Sequence, residues 1–186
     1  MTTVALPLSD RREPTAAECA GRIMTVSGLC FGGANLIQWG VLSGALPLHP
    51  AVLAVSWPAA TAGVLITLVR IRKGAGPAGR RVAGWSRLGV FTLIGAALAL
   101  VALSATSGNW DLMAWNSVVS PLIYAAAWTV AAVRTGRPIL AAPALIALGG
   151  AAVVATVVGT PTQYLASATT LALAALLPGL ALARKS

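Results

Sequence analysis

Residues 23–69 read IMTVSGLCFGGANLIQWGVLSGALPLHPAVLAVSWPAATAGVLITLV, 47 positions without one Asp, Glu, Lys or Arg. A helix needs about 20 apolar residues to cross the hydrocarbon of a bilayer, so this run is long enough for two crossings and a turn. The turn falls at PLHP, residues 47–50, where two prolines interrupt the helical pattern. Two more runs follow: residues 88–133, interrupted only by Asp111, and residues 138–183, each 46 positions long. Together the three runs predict an all-α integral membrane protein of six transmembrane helices in three antiparallel hairpins.

The whole composition agrees. Of 186 residues, 58% are hydrophobic and 9% charged, where a soluble domain carries about 25% charged residues. The net charge of +9 sets 13 Lys and Arg against four acids, Asp10, Glu13, Glu18 and Asp111. The basic residues fall at the ends of the apolar runs: Arg11, Arg12 and Arg22; then Arg70, Arg72, Lys73, Arg80, Arg81 and Arg87; then Arg134 and Arg137; then Arg184 and Lys185. Each hairpin returns the chain to its starting side, so all four clusters share one face, which the positive-inside bias makes cytoplasmic. Both termini are therefore expected inside a plasma or cytoplasmic membrane.

On this reading residues 1–22 form a cytoplasmic tail, residues 23–183 the membrane domain, and residues 184–186 a cytoplasmic end. The helices are expected at about 23–46, 51–69, 86–106, 113–133, 139–158 and 164–183, with boundaries uncertain by roughly 2–4 residues. Ser43, Gly44 and Ala45 form a small-residue cleavage pattern after the first run, but that run is long for a signal peptide and three of the four acids precede it. Thr15 and Glu18 have capping-box spacing, which starts a helix near Ala16 instead. Outer turns are expected at PLHP, SGNWD (107–111) and GTPTQ (159–163), and a long inner loop at RIRKGAGPAGRR, residues 70–81. Pro58 and Pro121 precede Arg70 and Arg134 at similar distances, a likeness that bilayer thickness explains without an internal repeat. Small residues four apart, Gly28 with Gly32, Gly40 with Gly44, Ala59 with Gly63 and Gly95 with Ala99, mark faces for close helix packing. They serve the bundle itself or a second copy.

Counting excludes several chemistries. One histidine, His49, cannot ligate a haem from both sides or build a multi-histidine metal site. Cys19 and Cys30 are too few for a disulfide framework or a metal cluster. Lys73 and Lys185 both lie outside the apolar runs, which argues against a retinal Schiff base. No resident cofactor is implied. A serine nucleophile with His49 and Asp111 lacks any accompanying motif, so no enzyme is expected, and a lipid-modifying enzyme is the third reading. Arg70, Arg72, Lys73, Arg80, Arg81 and Arg87 fit contact with anionic lipid or a cytoplasmic partner; without interleaved aromatics they do not suggest nucleic acid.

What remains is a set of polar and aromatic residues placed in the outer half of the membrane. Counting down from Pro47 at about 1.5 Å per residue puts Trp39 at about 12 Å, Gln38 at about 13 Å and Asn35 at about 18 Å. Ser56 and Trp57, and Ser117, Ser120 and Tyr124, reach the same zone from their own helix ends. Ser117, Pro121, Tyr124 and Trp128 share one helical face, as do Gly28, Gly32, Asn35 and Trp39. Trp85, Trp110 and Trp115 belong at the interfaces. Buried amides and hydroxyls either cross-link helices or line a small-molecule site. The candidate ligand set is Asn35, Gln38, Trp39, Ser56, Trp57, Ser117, Ser120 and Tyr124, with Asp111 at an outer vestibule. Two functions follow: binding or transport of a small, largely apolar molecule, or a non-catalytic accessory subunit of a larger membrane complex.

Overall fold

The computed structural model describes residues 13–136 and 138–184, and among these every regular element is helical. Arg11, Arg12, Arg137 and Lys185 lie outside the described residues. The order is α1 (Ala16–Leu42), α2 (Ala51–Gly74), α3 (Gly76–Ser107), a 3₁₀ segment (Trp110–Trp115), α4 (Asn116–Thr135), a 3₁₀ turn (Pro138–Leu140), α5 (Ala141–Thr156) and α6 (Thr162–Leu171). A π-helical turn (Ala172–Leu176) then carries α6 into α7 (Leu177–Arg184) as one rod.

Among the described residues, five stretches are long and apolar enough to cross a membrane: Ala51–Gly74, Gly76–Ser107, Trp110–Thr135, Pro138–Thr156 and Thr162–Arg184. Their outward faces carry Leu, Val, Ile and Phe, including Leu88, Phe91, Leu98, Val133 and Leu145, as a lipid-facing surface requires. The protein is an integral membrane protein. α1 is as long as these spans but is not among them, and Asn35, Gln38 and five glycines lie within it. This helix packs against α2, α3, α6, the π turn and α7, and 12 of its 27 residues are buried, while Leu29, Leu36 and Leu42 stay exposed.

Local chemistry sets the ends of these helices. The capping box is present: the Glu18 amide donates to Thr15 Oγ1 at 3.2 Å and the Thr15 amide to Glu18 Oε2 at 2.6 Å. At α2 the Ala51 amide donates to His49 Nδ1 at 3.2 Å, which gives His49 a capping role on the surface. A glycine at positive φ lies in or beside each described connection, Gly44, Gly76 at the start of α3, Gly108, Gly136 and Gly159, where a Cβ would strain the turn. Residues 70–81, expected as a loop, are helical apart from Ala75. Gly76 makes the reversal, Pro77 suits the first turn of α3, and Arg72 and Lys73 sit in the last turn of α2, where the helix dipole favours cations.

Two apolar clusters hold the bundle. The larger joins Ile23, Phe31 and Ala34 of α1 to Val64 and Leu68 of α2, Val90 of α3 and Leu171 of α6. The smaller joins Ala125 of α4, Ala147 of α5 and Ala174 of the π turn. Tyr124 packs against both. The tightest crossing is between α1 and α7. A Cβ on Gly21 would lie 2.8 Å from the Ala183 amide nitrogen, and one on Gly179 would lie 2.6 Å from that of Thr25. Gly28 meets Leu176, Gly40 meets Leu46 and Gly63 meets the Cys30 sulfur, so three of the glycines singled out by spacing sit at close contacts. Gly32 and Gly95 face no atom within 4 Å, and Gly44 belongs to a turn. Spacing alone identifies small residues but not which of them has a neighbour.

Candidate functional site

The turns after α1, α3 and α5 gather at one end of the bundle, because successive helices alternate in direction. From that end a cavity of about 1030 Å³ runs between α1, α2, α3, α4 and α6. At its mouth stand Trp110 and Asp111 of the 3₁₀ segment with Thr160 and Pro161 of the last turn. On α1 its lining runs from Leu42 down to Phe31, a depth of about 16 Å at 1.5 Å per residue, half the membrane. Its size lies at the upper end of small-molecule sites. A shallower groove of about 410 Å³ between α5 and α6 lies among exposed residues such as Val153 and Leu173 on the outer surface of the bundle.

Aromatic and aliphatic side chains make most of the wall. Phe31 and Trp57 pack with ring centroids 5.8 Å apart, and Trp110, Tyr124 and Tyr164 complete five aromatic lining residues. α3 adds only apolar groups, Val90, Leu93, Ile94 and Ala97. Asp111 is the one charged side chain of the lining among the described residues. The exposed Arg70, Arg72, Lys73, Arg80, Arg81 and Arg87 lie at the opposite end of α2 and α3.

The polar lining residues are oriented by their partners. Gln38 Nε2 donates to the Leu53 carbonyl at 2.9 Å and to Ser56 Oγ at 3.0 Å. A carbonyl can only accept, which fixes the amide orientation and leaves Oε1 as the group that Gln38 offers the cavity. The Ser117 and Ser120 hydroxyls donate back to Ala114 and Asn116 carbonyls at 2.7 and 2.9 Å, so their oxygens remain acceptors. Gln163 is arranged oppositely. The Gly159 amide donates to its Oε1 at 2.8 Å, which leaves its Nε2 as a donor. The Tyr124 hydroxyl interacts with the Ser27 hydroxyl across α1 and α4.

Of the residues singled out in the sequence, Gln38, Trp57, Ser117, Ser120, Tyr124 and Asp111 meet in this lining, and Asn35, Trp39 and Ser56 do not. Ser56 is buried behind it, accepting from Gln38 and donating to the Leu53 carbonyl at 3.1 Å. Asn35 shares the helical face of Phe31, Gln38 and Leu42, yet its Nδ2 turns back onto the Phe31 carbonyl at 2.8 Å. It is 1% exposed, and its Oδ1 has no hydrogen-bond partner among the described residues. Gln163, Tyr164, Thr61 and the α3 residues were not anticipated. Gln163 and Tyr164 carried a usable signal, a carboxamide and an aromatic at the start of an apolar run, but the GTPTQ reading placed Gln163 in a turn.

No protein-family model matches this chain, and neither the curated proteins nor the solved structures contain a match to it.

Proposed function

We propose that the chain crosses the membrane six times, with α1 as the sixth and innermost span and both termini in the cytoplasm. In this reading it binds, or carries across the membrane, a small and largely apolar molecule that enters from the outer face. No covalent chemistry is assigned to it. The cavity supports this best: a 1030 Å³ space walled by five aromatics, with a few polar groups aimed inward, is what recognition of such a molecule requires. Packing alone would not leave such a volume, because protein interiors are filled to near-crystalline density.

The test is to fill the cavity without breaking a hydrogen bond. Ala97 lines it from α3 and faces no polar partner, so Ala97→Trp occludes the space. Native mass spectrometry of the gently extracted protein should show a stoichiometric small molecule that Ala97→Trp loses. A protein partner at full occupancy, with no small molecule in either form, would favour the accessory-subunit reading.

That second reading has its own support. The exposed Arg70, Arg72, Lys73, Arg80 and Arg81 crowd the reversal between α2 and α3, a basic surface suited to anionic lipid headgroups or an acidic protein. Replacing Arg72, Lys73, Arg80 and Arg81 by Gln would then dissociate a partner while the spans still insert.

A further inference from the structure

We propose that the molecule held in this cavity is a lipophilic organic cation, an apolar body bearing an ammonium-type charge, with Asp111 as its counter-ion. The proposal rests on the cavity being a ligand site and adds the chemistry of the ligand. Three observations carry it. First, Asp111 is the one charged residue of the lining among the described residues, and it stands at the mouth, where its backbone N–H donates a hydrogen bond to Asn109 Oδ1 at 3.0 Å. Secondly, among the described residues no cation stands near it. The described Lys and Arg residues lie toward the other end of the helices, about 27–30 Å or more away along α2, α3 and α4 at 1.5 Å per residue, whereas salt screens exposed charges beyond about 8 Å. Thirdly, the walls suit a cation. Five aromatic side chains line the space, a composition that favours a cation, and Gln38, Ser117 and Ser120 present oxygens while their own hydrogens are engaged elsewhere. The chain as a whole carries +9, so an anionic residue placed alone at the cavity mouth runs against its overall charge and selects for the opposite sign of guest.

A neutral apolar molecule would use the walls equally well but would have no need of Asp111. An anion would meet the carboxylate and the acceptor oxygens as repulsion, with the Gln163 amide and the indole N–H groups as its donors. The arrangement therefore discriminates by charge at the mouth and by size and apolarity below it.

The experiment compares an aryl-alkyl trimethylammonium with its neutral tert-butyl isostere, the same shape with carbon in place of nitrogen. Binding is measured by equilibrium dialysis against the full-length protein in phosphatidylcholine nanodiscs, with empty nanodiscs as the blank. The zwitterionic lipid removes any attraction of the cation to the bilayer itself. The cation should bind roughly tenfold more tightly than the isostere, a preference that weakens with salt. Asp111→Asn should abolish the preference and Asp111→Glu should retain it, each with an unchanged circular-dichroism melting curve. Equal binding of both probes, or a preference that survives in Asp111→Asn, would overturn the proposal while the cavity remained a ligand site. Failure of both probes to bind above the blank, with Ala97→Trp indistinguishable from wild type, would remove the ligand site and the proposal together.

Discussion

The Gln38 carboxamide donates to the Ser56 hydroxyl at 3.0 Å, joining the C-terminal part of α1 to the first half of α2. Gln38 therefore serves twice, as a tie between helices and as part of the cavity wall. Gln38→Leu removes two interhelical bonds, and such bonds are worth about 0.6 kcal/mol each in membrane proteins. We expect it to destabilise the fold by about 1 kcal/mol, and a double-mutant cycle with Ser56→Ala to give a coupling near 0.6 kcal/mol. Asn35→Leu behaves differently. It loses only a bond within its own helix and removes a buried oxygen without a partner, so stability should not fall. Denaturant unfolding in detergent micelles checks both, and equal losses in the two variants would contradict the assignment.

The helix glycines separate in the same way. A Cβ at Gly179 would press on the α1 backbone at Thr25, and α7 would have to move. Overpacking of this kind costs about 1–3 kcal/mol, which is the loss expected for Gly179→Ala. Gly32→Ala and Gly95→Ala meet open space, so each should gain up to about 1 kcal/mol from helix propensity. Thermal melting of the three variants decides the point; a stabilised Gly179→Ala would show that α1 and α7 are not in backbone contact.

Much of this organisation is legible in the sequence, for physical reasons. The absence of charge over 23–69 marks a hairpin because charge in hydrocarbon is costly, and the Thr15 and Glu18 spacing marks a helix start because two orphan amides need acceptors. The shared face of Ser117, Pro121 and Tyr124 is legible because 3.6-residue periodicity is local. The α3 wall was not legible: in a lipid-facing helix, Val90, Leu93 and Ile94 look the same whether they meet a cavity or an acyl chain. Asn35 shows the other limit. Periodicity puts it on the cavity face, but only the conformation of its side chain decides that it folds back onto Phe31.

Cys19 provides a reporter of unfolding. It precedes Arg22 at the basic end of α1, is 1% exposed and packs beside Gly79 of α3. Burial pushes its thiol above the ordinary value; Arg22 pulls it back in part, and Glu18 adds to the rise. A raised thiol pKa leaves less thiolate at neutral pH, and thiolate is the reactive form. In a Cys30→Ala background, maleimide should therefore modify the folded protein slowly at pH 7 and the denatured protein at the rate of a free thiol. Rapid labelling of the folded protein would mean that the packing of α1 on α3 opens readily.

The orientation of the bundle can be tested at its two ends. Lys73 closes α2 among the basic residues, Asp111 opens the 3₁₀ segment before α4, and both are exposed. The bias of Lys and Arg toward the cytoplasm assigns Lys73 to the inside and Asp111 to the outside. Single cysteines at these positions, in a background without Cys19 and Cys30, should respond oppositely to a membrane-impermeant maleimide. Asp111→Cys should label in intact cells, whereas Lys73→Cys should label only after the membrane is opened. The reverse pattern would place the cavity mouth in the cytoplasm, so that its ligand would have to come from inside the cell; labelling of both from outside would mean that the hairpin of α2 and α3 does not cross as a pair.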